Sequence, residues 1–169
     1  MNVILHDLEK ETFQSLFPNI NSDTHVISGN EKMSNCIGCF GCWIKSPGSC
    51  VIKDGYQNMG EILSKANRLI IISQCCFGGY SPSVKNILDR SISYMLPFFR
   101  LIDNETHHKQ RYKNNLSLSV YFYGKELSQQ EMSTAQKLVQ ANGRNFDVHD
   151  YKTLFFHSPN EFCKEGEIQ

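Results

Sequence analysis

Four of the seven cysteines fall in one short stretch, Cys36, Cys39, Cys42 and Cys50, spaced C-x2-C-x2-C-x7-C. Gly38, Gly41, Pro47 and Gly48 interrupt that stretch. A regular helix is therefore not expected, and the chain should curl so that several thiolates turn toward one point. Four converging thiolates suit an iron–sulfur cluster or a tetrahedral zinc ion. Unligated thiols or a redox disulfide are the remaining readings, although an odd cysteine total does not suit a fully paired disulfide scaffold.

Other reactive side chains form weaker patterns. Cys75 and Cys76 follow an apolar run and read as small buried side chains, and Cys163 reads as incidental. His107, His108 and Arg111 sit close together in a stretch without clear periodicity, where a histidine pair suits either proton transfer and metal binding or an exposed polar loop. No Ser/His/Asp or Cys/His constellation stands out, and no G-x-x-x-x-G-K-[ST] phosphate loop is present.

Composition narrows the class. The chain has 169 residues, 40% of them hydrophobic and 20% charged, with a formal net charge of zero. This is enough for a real core in one domain spanning 1–169. It gives no electrostatic reason to expect a nucleic-acid or membrane partner. No apolar run approaches the roughly 20 residues of a membrane span. The first residues, Met1-Asn2-Val3-Ile4-Leu5-His6-Asp7, lack a basic leader pattern, so a cytoplasmic setting with reduced thiols is expected. That setting favours metal over disulfides at the four-cysteine loop.

The elements that must carry this loop alternate between strand and helix. Val3-Ile4-Leu5, His25-Val26-Ile27-Ser28, Arg68 to Ser73, Leu116 to Tyr123, and a run within Phe146 to Phe156 read as strands. The unbroken apolar run Leu69-Ile70-Ile71-Ile72 implies a strand covered on both faces. Between the strands, a helix after Asp7 ends at Pro18, and Asp54-Gly55-Tyr56-Gln57 has the form of a capping box with Asp54 as N-cap. Ser81-Pro82 starts a strongly periodic helix, and Ser128-Gln129-Gln130-Glu131 is a second capping box, whose helix Gly143 is placed to end. Pro97 to Asn115 reads as a long functional or interface loop, with Pro97-Phe98-Phe99-Arg100-Leu101-Ile102 apolar enough for a subunit contact. The polar segment 157–169 reads as a loose tail. Five strands with four intervening helices give a parallel α/β sheet with right-handed crossovers.

The cysteine loop, Val51-Ile52-Lys53-Asp54 after it, and Phe77-Gly78-Gly79-Tyr80-Ser81-Pro82-Ser83-Val84-Lys85-Asn86-Ile87-Leu88-Asp89-Arg90 together resemble the flavodoxin-fold NAD(P)H-dependent FMN reductases. Within that group they look most like the iron–sulfur flavoproteins. The resemblance covers the chain from about Asn35 to the last strand. It implies a flavodoxin-like three-layer α/β/α fold, a five-stranded parallel sheet in the order 2-1-3-4-5, and FMN at the carboxyl ends of the strands. It implies a [4Fe-4S] cluster on Cys36, Cys39, Cys42 and Cys50, where the residues read by themselves leave zinc as the alternative metal. Phe77, Gly78, Gly79, Tyr80 and Ser81 are implied beside the flavin ring, with Gly124 in a third flavin loop. NAD(P)H is the implied donor, because a flavin can take a hydride's two electrons and pass them singly to a cluster.

One departure is chemical. The family's first strand runs into a turn rich in glycine and hydroxyl residues that wraps the flavin phosphate, whereas here His6-Asp7-Leu8-Glu9-Lys10-Glu11 follows, with three acids where a phosphate would lie. Gln74-Cys75-Cys76 likewise replaces the family's usual proline and aromatic residue. The expected function is an oxidoreductase or electron-transfer flavoprotein, a homo-oligomer exchanging electrons with a small-molecule or protein partner. The alternative is a non-enzymatic protein of the same fold that has lost FMN and uses its cysteine loop for structural metal or redox sensing.

Overall fold

In the computed structural model, which describes residues 1–148 and 150–165, the strand Arg68–Gln74 (β3) is buried along almost its whole length. It pairs in parallel with Asn2–His6 (β1) on one side and with Ser117–Tyr123 (β6) on the other. Thr24–Ser28 (β2) extends the sheet beyond β1, and Tyr151–Phe156 (β7) extends it beyond β6, both parallel. The order β2-β1-β3-β6-β7 is the expected 2-1-3-4-5 order when these five strands alone are counted.

Side-chain alternation divides the core into two layers. Val3, Leu5, Leu69, Ile71, Leu118, Val120 and Phe122 face one way, against Met59–Ser64 (α3), Pro82–Arg90 (α4) and Gln129–Phe146 (α5). Ile4, Ile70, Ile72 and Tyr121 face the other way, against Phe13 and Leu16 of Lys10–Leu16 (α1). One short helix does not cover that second face. The rest is covered by the segment expected to be a loose tail: Pro159–Glu165 forms a 3-10 helix, and Phe162 is buried against Tyr121, Tyr123 and Phe156. Burial of one aromatic ring contributes on the order of 2–3 kcal/mol, which is enough to pin a polar segment. The side chain of Cys163 lies outside the described residues.

Local signals held where no tertiary group competed. Ser81 caps α4, accepting from Val84 N–H, and Ser128 and Glu131 form the reciprocal capping box of α5. Two expectations were overridden. The helix expected from Asp54 starts only at Met59, without a side-chain cap from Asn58; Asp54 Oδ1 still accepts from Tyr56 N–H at 3.2 Å, but this local turn, whose carboxylate also binds Arg90, does not continue into the helix. Helix α5 runs through Gly143 to Phe146 and stops at left-handed Asp147 (φ 56°). A Cβ on Gly143 would lie 3.3 Å from the Tyr151 ring, so this glycine makes room for β7 rather than ending the helix.

The stretch read as a loop from Pro97 is instead an antiparallel hairpin, Met95–Ile102 (β4) with Glu105–Gln110 (β5). Asp103 and Asn104 form its two-residue turn with φ of 50° and 64°, the left-handed pair that short-chain polar residues tolerate. The face of β4 exposes Phe98, Phe99 and Leu101.

His6 ends β1 inside the second layer, stacked on Phe13 at 3.9 Å, with Nδ1 buried and unpartnered. Burial brings its pKa down from 6.5 to about 4. The unfolded chain takes up this proton at higher pH than the folded one, so stability falls as pH drops through the window between those values. Urea midpoints should therefore show a loss of about 2 kcal/mol between pH 7 and pH 5 from this residue, and His6→Leu should flatten that part of the profile.

Candidate functional site

The cysteine loop folds as its glycines demand. Gly38 (φ 66°) and Phe40 (φ 52°) are both left-handed and reverse the chain twice within three residues. A single helical turn follows, Gly41–Ile44 (α2), where no regular helix was expected. Trp43 anchors that turn: its indole N–H donates to the Met95 and Ile92 carbonyls at 2.9 and 3.3 Å. Gly48 N–H donates to Cys42 O and Cys50 N–H to Gln57 O, closing the far side.

Cys36, Cys39, Cys42 and Cys50 all line one cavity of about 280 Å³, together with Phe40, Ile52, Asp89, Arg90 and Ile92. Cys42 and Cys50 form its buried floor, and Cys36 and Cys39 stand at the exposed rim. Burial pushes the Cys42 thiol up, and Cys50, Cys36 and Cys39 add to the effect. The buried Cys42 thiol is thus disfavoured as a thiolate until a cation joins it. Among the described residues no three His, Cys, Asp or Glu side chains already stand in a ligating arrangement.

Helix α4 holds the loop. The Arg90 side chain is fully buried and pairs with Asp54 at 2.8 Å. The guanidinium holds the Asp54 carboxyl well below the usual carboxylate range. Asn86 Oδ1 accepts from Cys36 N–H at 3.1 Å. Sequence reading placed Asp54 as a helix cap and gave Arg90 no role, since only the folded chain brings the two together.

The glycine turn after β3 lies elsewhere on α4, at its start. Cys76 and Gly79 exchange backbone hydrogen bonds around left-handed Phe77 (φ 52°) and Gly78 (φ 78°). Phe77 projects freely, 94% exposed. Tyr80 and Ser81 turn inward: Asn142 donates to the Tyr80 hydroxyl, burial pushes that hydroxyl's pKa up to about 12, and Ser81 N–H donates to Ser73 Oγ. Gly79 and Tyr80 line a second cavity, about 380 Å³, between α4 and α5. Asp89 and Ile92 border both cavities, so the end of α4 forms a shared wall. Gly124 is at the same sheet edge but lines a separate cavity with Phe155 and His157. Phe77 to Ser81 are thus brought together, and Gly124 is not brought into a common cavity with them. The cysteines gather along the second half of α4, with Cys36 at Asn86 and the cavity bordered by Asp89, Arg90 and Ile92, whereas the glycine turn meets that helix at its start.

At the strand ends the central group is Asp7. Its carboxylate accepts from Gln74 N–H at 2.8 Å and from the Tyr123 hydroxyl at 3.0 Å. Burial and then Asp7 push the Tyr123 pKa well above its usual value. Asn30 donates to the Asp7 carbonyl and to Glu9, binding the acidic turn down. Cys75 is buried as expected, and Cys76 is half-buried, its thiol pushed up first by burial and then by Asp7.

The histidines have structural partners. His107 lies between Asn145 and Glu105, His108 Nδ1 donates to Leu96 O and its ring packs on Trp43 and Phe99, and Arg111 donates to Ser93 O. They fasten the hairpin to the body of the fold.

A Cβ on Gly78 would lie 2.7 Å from Thr134 Cβ, on a backbone that L side chains resist. Gly78→Ala is expected to cost about 2 kcal/mol, read as a lowered urea midpoint at unchanged slope.

No family model matches the chain. An iron–sulfur flavoprotein of Methanocaldococcus jannaschii is 34% identical over 70 residues, which are 41% of this chain and 35% of that protein. The match therefore spans about a third of the length of that relative. Among solved structures, an FMN-dependent NADH-azoreductase of Bacillus anthracis, in complex with FMN, superposes with a TM-score of 0.54 at 10% identity, covering 99% of this chain and 94% of that one. An NAD(P)H:quinone oxidoreductase of Methanothermobacter marburgensis superposes with a TM-score of 0.56 at 12% identity, covering 99% and 93%. The five-stranded parallel sheet, its strand order and these superpositions show that the chain has the flavodoxin-like fold.

Proposed function

We propose that this chain is an electron-transfer oxidoreductase of the iron–sulfur flavoprotein type, with Cys36, Cys39, Cys42 and Cys50 as ligands of an iron–sulfur cluster. The observation that carries the reading is that these four cysteines line a single cavity of about 280 Å³. A tetrahedral zinc draws four sulfurs to about 2.3 Å from one point. Zinc on the same four thiols is the second reading, and the partial likeness to an iron–sulfur flavoprotein is what favours the cluster. A bound cluster supplies one-electron transfer. The chain's own contribution is to hold the thiols, bury two of them and limit water at the floor.

The partner group in this reading is a flavin at the turn Phe77, Gly78, Gly79, Tyr80 and Ser81, with Gly124 at the neighbouring strand end and NAD(P)H as donor. The freely projecting Phe77 ring offers a stacking surface, and the wall shared by the two cavities puts the turn and the cysteines on one helix. The phosphate end of FMN does not fit the turn after β1. The donors at that strand end are taken by the Asp7 carboxylate, and Glu9 adds a second negative charge beside it. A small-molecule or protein electron partner, a reduced cytoplasmic setting and a homo-oligomeric contact through the apolar face of β4 complete the proposal. Among the described residues no helix is long and apolar enough to cross a membrane.

Anaerobic purification followed by iron, acid-labile sulfide, zinc and flavin analysis tests the first half. Iron and sulfide in about equal amounts are expected, lost in Cys42→Ser and kept in Cys75→Ser. Zinc without iron, or full metal retention in Cys42→Ser, would sink the cluster assignment. Flavin titration by fluorescence quenching tests the second half. Asp7→Ser should tighten FMN binding about tenfold while leaving riboflavin, which has no phosphate, unchanged. Equal gains for both flavins would show that Asp7 opposes the ring and not the phosphate.

A further inference from the structure

The wall of the cysteine cavity contains a cation that no ligand-spacing pattern announces. Arg90 is at the end of α4 with its side chain fully buried. Its Nη1 donates to Ser34 O at 2.7 Å and to Asp54 Oδ2 at 2.9 Å. Its Nη2 donates to Asp54 Oδ1 at 2.8 Å and reaches Ile52 O at 3.5 Å. Ser34 comes two residues before Cys36, and Ile52 two residues after Cys50, so one planar group joins both ends of the loop. Nε is buried and has no partner.

Burying a guanidinium costs several kcal/mol unless charge and hydrogen bonds offset it. Asp54 offsets much of that, but Asp54 does not line the cavity, whereas Arg90 does. The pair therefore presents its positive end to the thiols. The other charges nearby are differently engaged: Asp89 in the same wall is paired with Lys85, and Lys53 donates to the Cys50 carbonyl at 3.1 Å. Asp54, against the opposing effect of burial, and then Cys50 raise the pKa of the guanidinium. A cluster held by four thiolates carries net negative charge, and that charge grows by one when an electron is added. Nearby charge and burial are what a protein uses to set the potential of such a centre.

We propose that Arg90 is the positioning residue of this cavity: its guanidinium closes the cysteine loop and supplies the buried positive charge that favours the reduced form of the cluster. The proposal rests on the cluster assignment made above, and its test separates the two. The protein and its variants are loaded anaerobically with iron and sulfide, assayed for iron content, and titrated with dithionite in the presence of mediators to find the midpoint potential. Arg90→Gln should shift the potential to more negative values. Asp54→Asn, which keeps the shape of the carboxylate and removes its charge, should shift it to more positive values. Arg90→Lys should stay near the wild-type potential but lose iron several-fold faster to a chelator, because it keeps the charge and loses the fork.

A purely structural role predicts lower iron content with the same potential in whatever cluster remains, and that result would overturn the charge assignment. Equal potentials in wild type and Asp54→Asn would overturn it even where Arg90→Gln does not fold. Chelator resistance unchanged in Arg90→Lys would overturn the loop-closing role. A wild-type protein that takes up no iron and sulfide removes the cluster assignment and this inference with it, whereas a loaded wild type with unmoved variants removes only the inference.

Discussion

The ion pair between Arg90 and Asp54 is the constraint on which the candidate site depends. A guanidinium with no exposed surface is stable only because both carboxylate oxygens and two backbone carbonyls meet its donors. Its cost fixes several things at once. It holds the turn at Asp54, whose Oδ1 also accepts from Tyr56 N–H, ahead of α3, which begins at Met59 without a side-chain cap. It joins the residues on either side of the cysteine loop and seats the loop on α4. Removing one partner of such a pair typically costs on the order of 3–5 kcal/mol, so the loop has little freedom to detach. The ion pair adds to the backbone hydrogen bonds of Cys36, Cys42 and Cys50 in holding the cysteines around the cavity.

A second carboxylate governs the opposite end of α4. In an open parallel sheet the crevice at the strand ends is where ligands ordinarily bind, because backbone donors emerge there unpaired. Asp7 satisfies the Gln74 N–H and the Tyr123 hydroxyl from within the chain. The edge is therefore internally neutralised as far as hydrogen bonds are concerned, and it carries negative charge where other chains of this fold class present an anion site. The cysteine cavity and the glycine turn remain the accessible chemistry. They are linked by one helix rather than by a common crevice.

Most of the scaffold was legible in the residues. The run Leu69-Ile70-Ile71-Ile72 announced a strand buried on both faces, and Ser81-Pro82 and Ser128 to Glu131 announced two helix starts, because each signal depends on neighbours within a few positions. What failed depended on distant partners. The hairpin from Met95 to Gln110 carries no clean alternation, since its outer face is apolar too, and its Asp103-Asn104 turn is a weak signal without the strands around it. Phe162 in a polar tail became a core residue because α1 is too short to cover its face of the sheet. Gly143 looked like a helix stop and is a packing gap for Tyr151.

The sequence by itself determined four closely spaced cysteines on a curling loop, together with the parallel α/β order and the acidic turn after the first strand. Those properties are written in residue type and short-range spacing. Only the tertiary structure decided that the four thiols share one cavity, that this cavity lies along the second half of α4 while the glycine turn lies at its start, and that Arg90 is in its wall. The reason is physical: Arg90 and Asp54 are 36 positions apart in the chain. Which carboxylate a buried guanidinium selects follows from packing in three dimensions, and no local pattern records it.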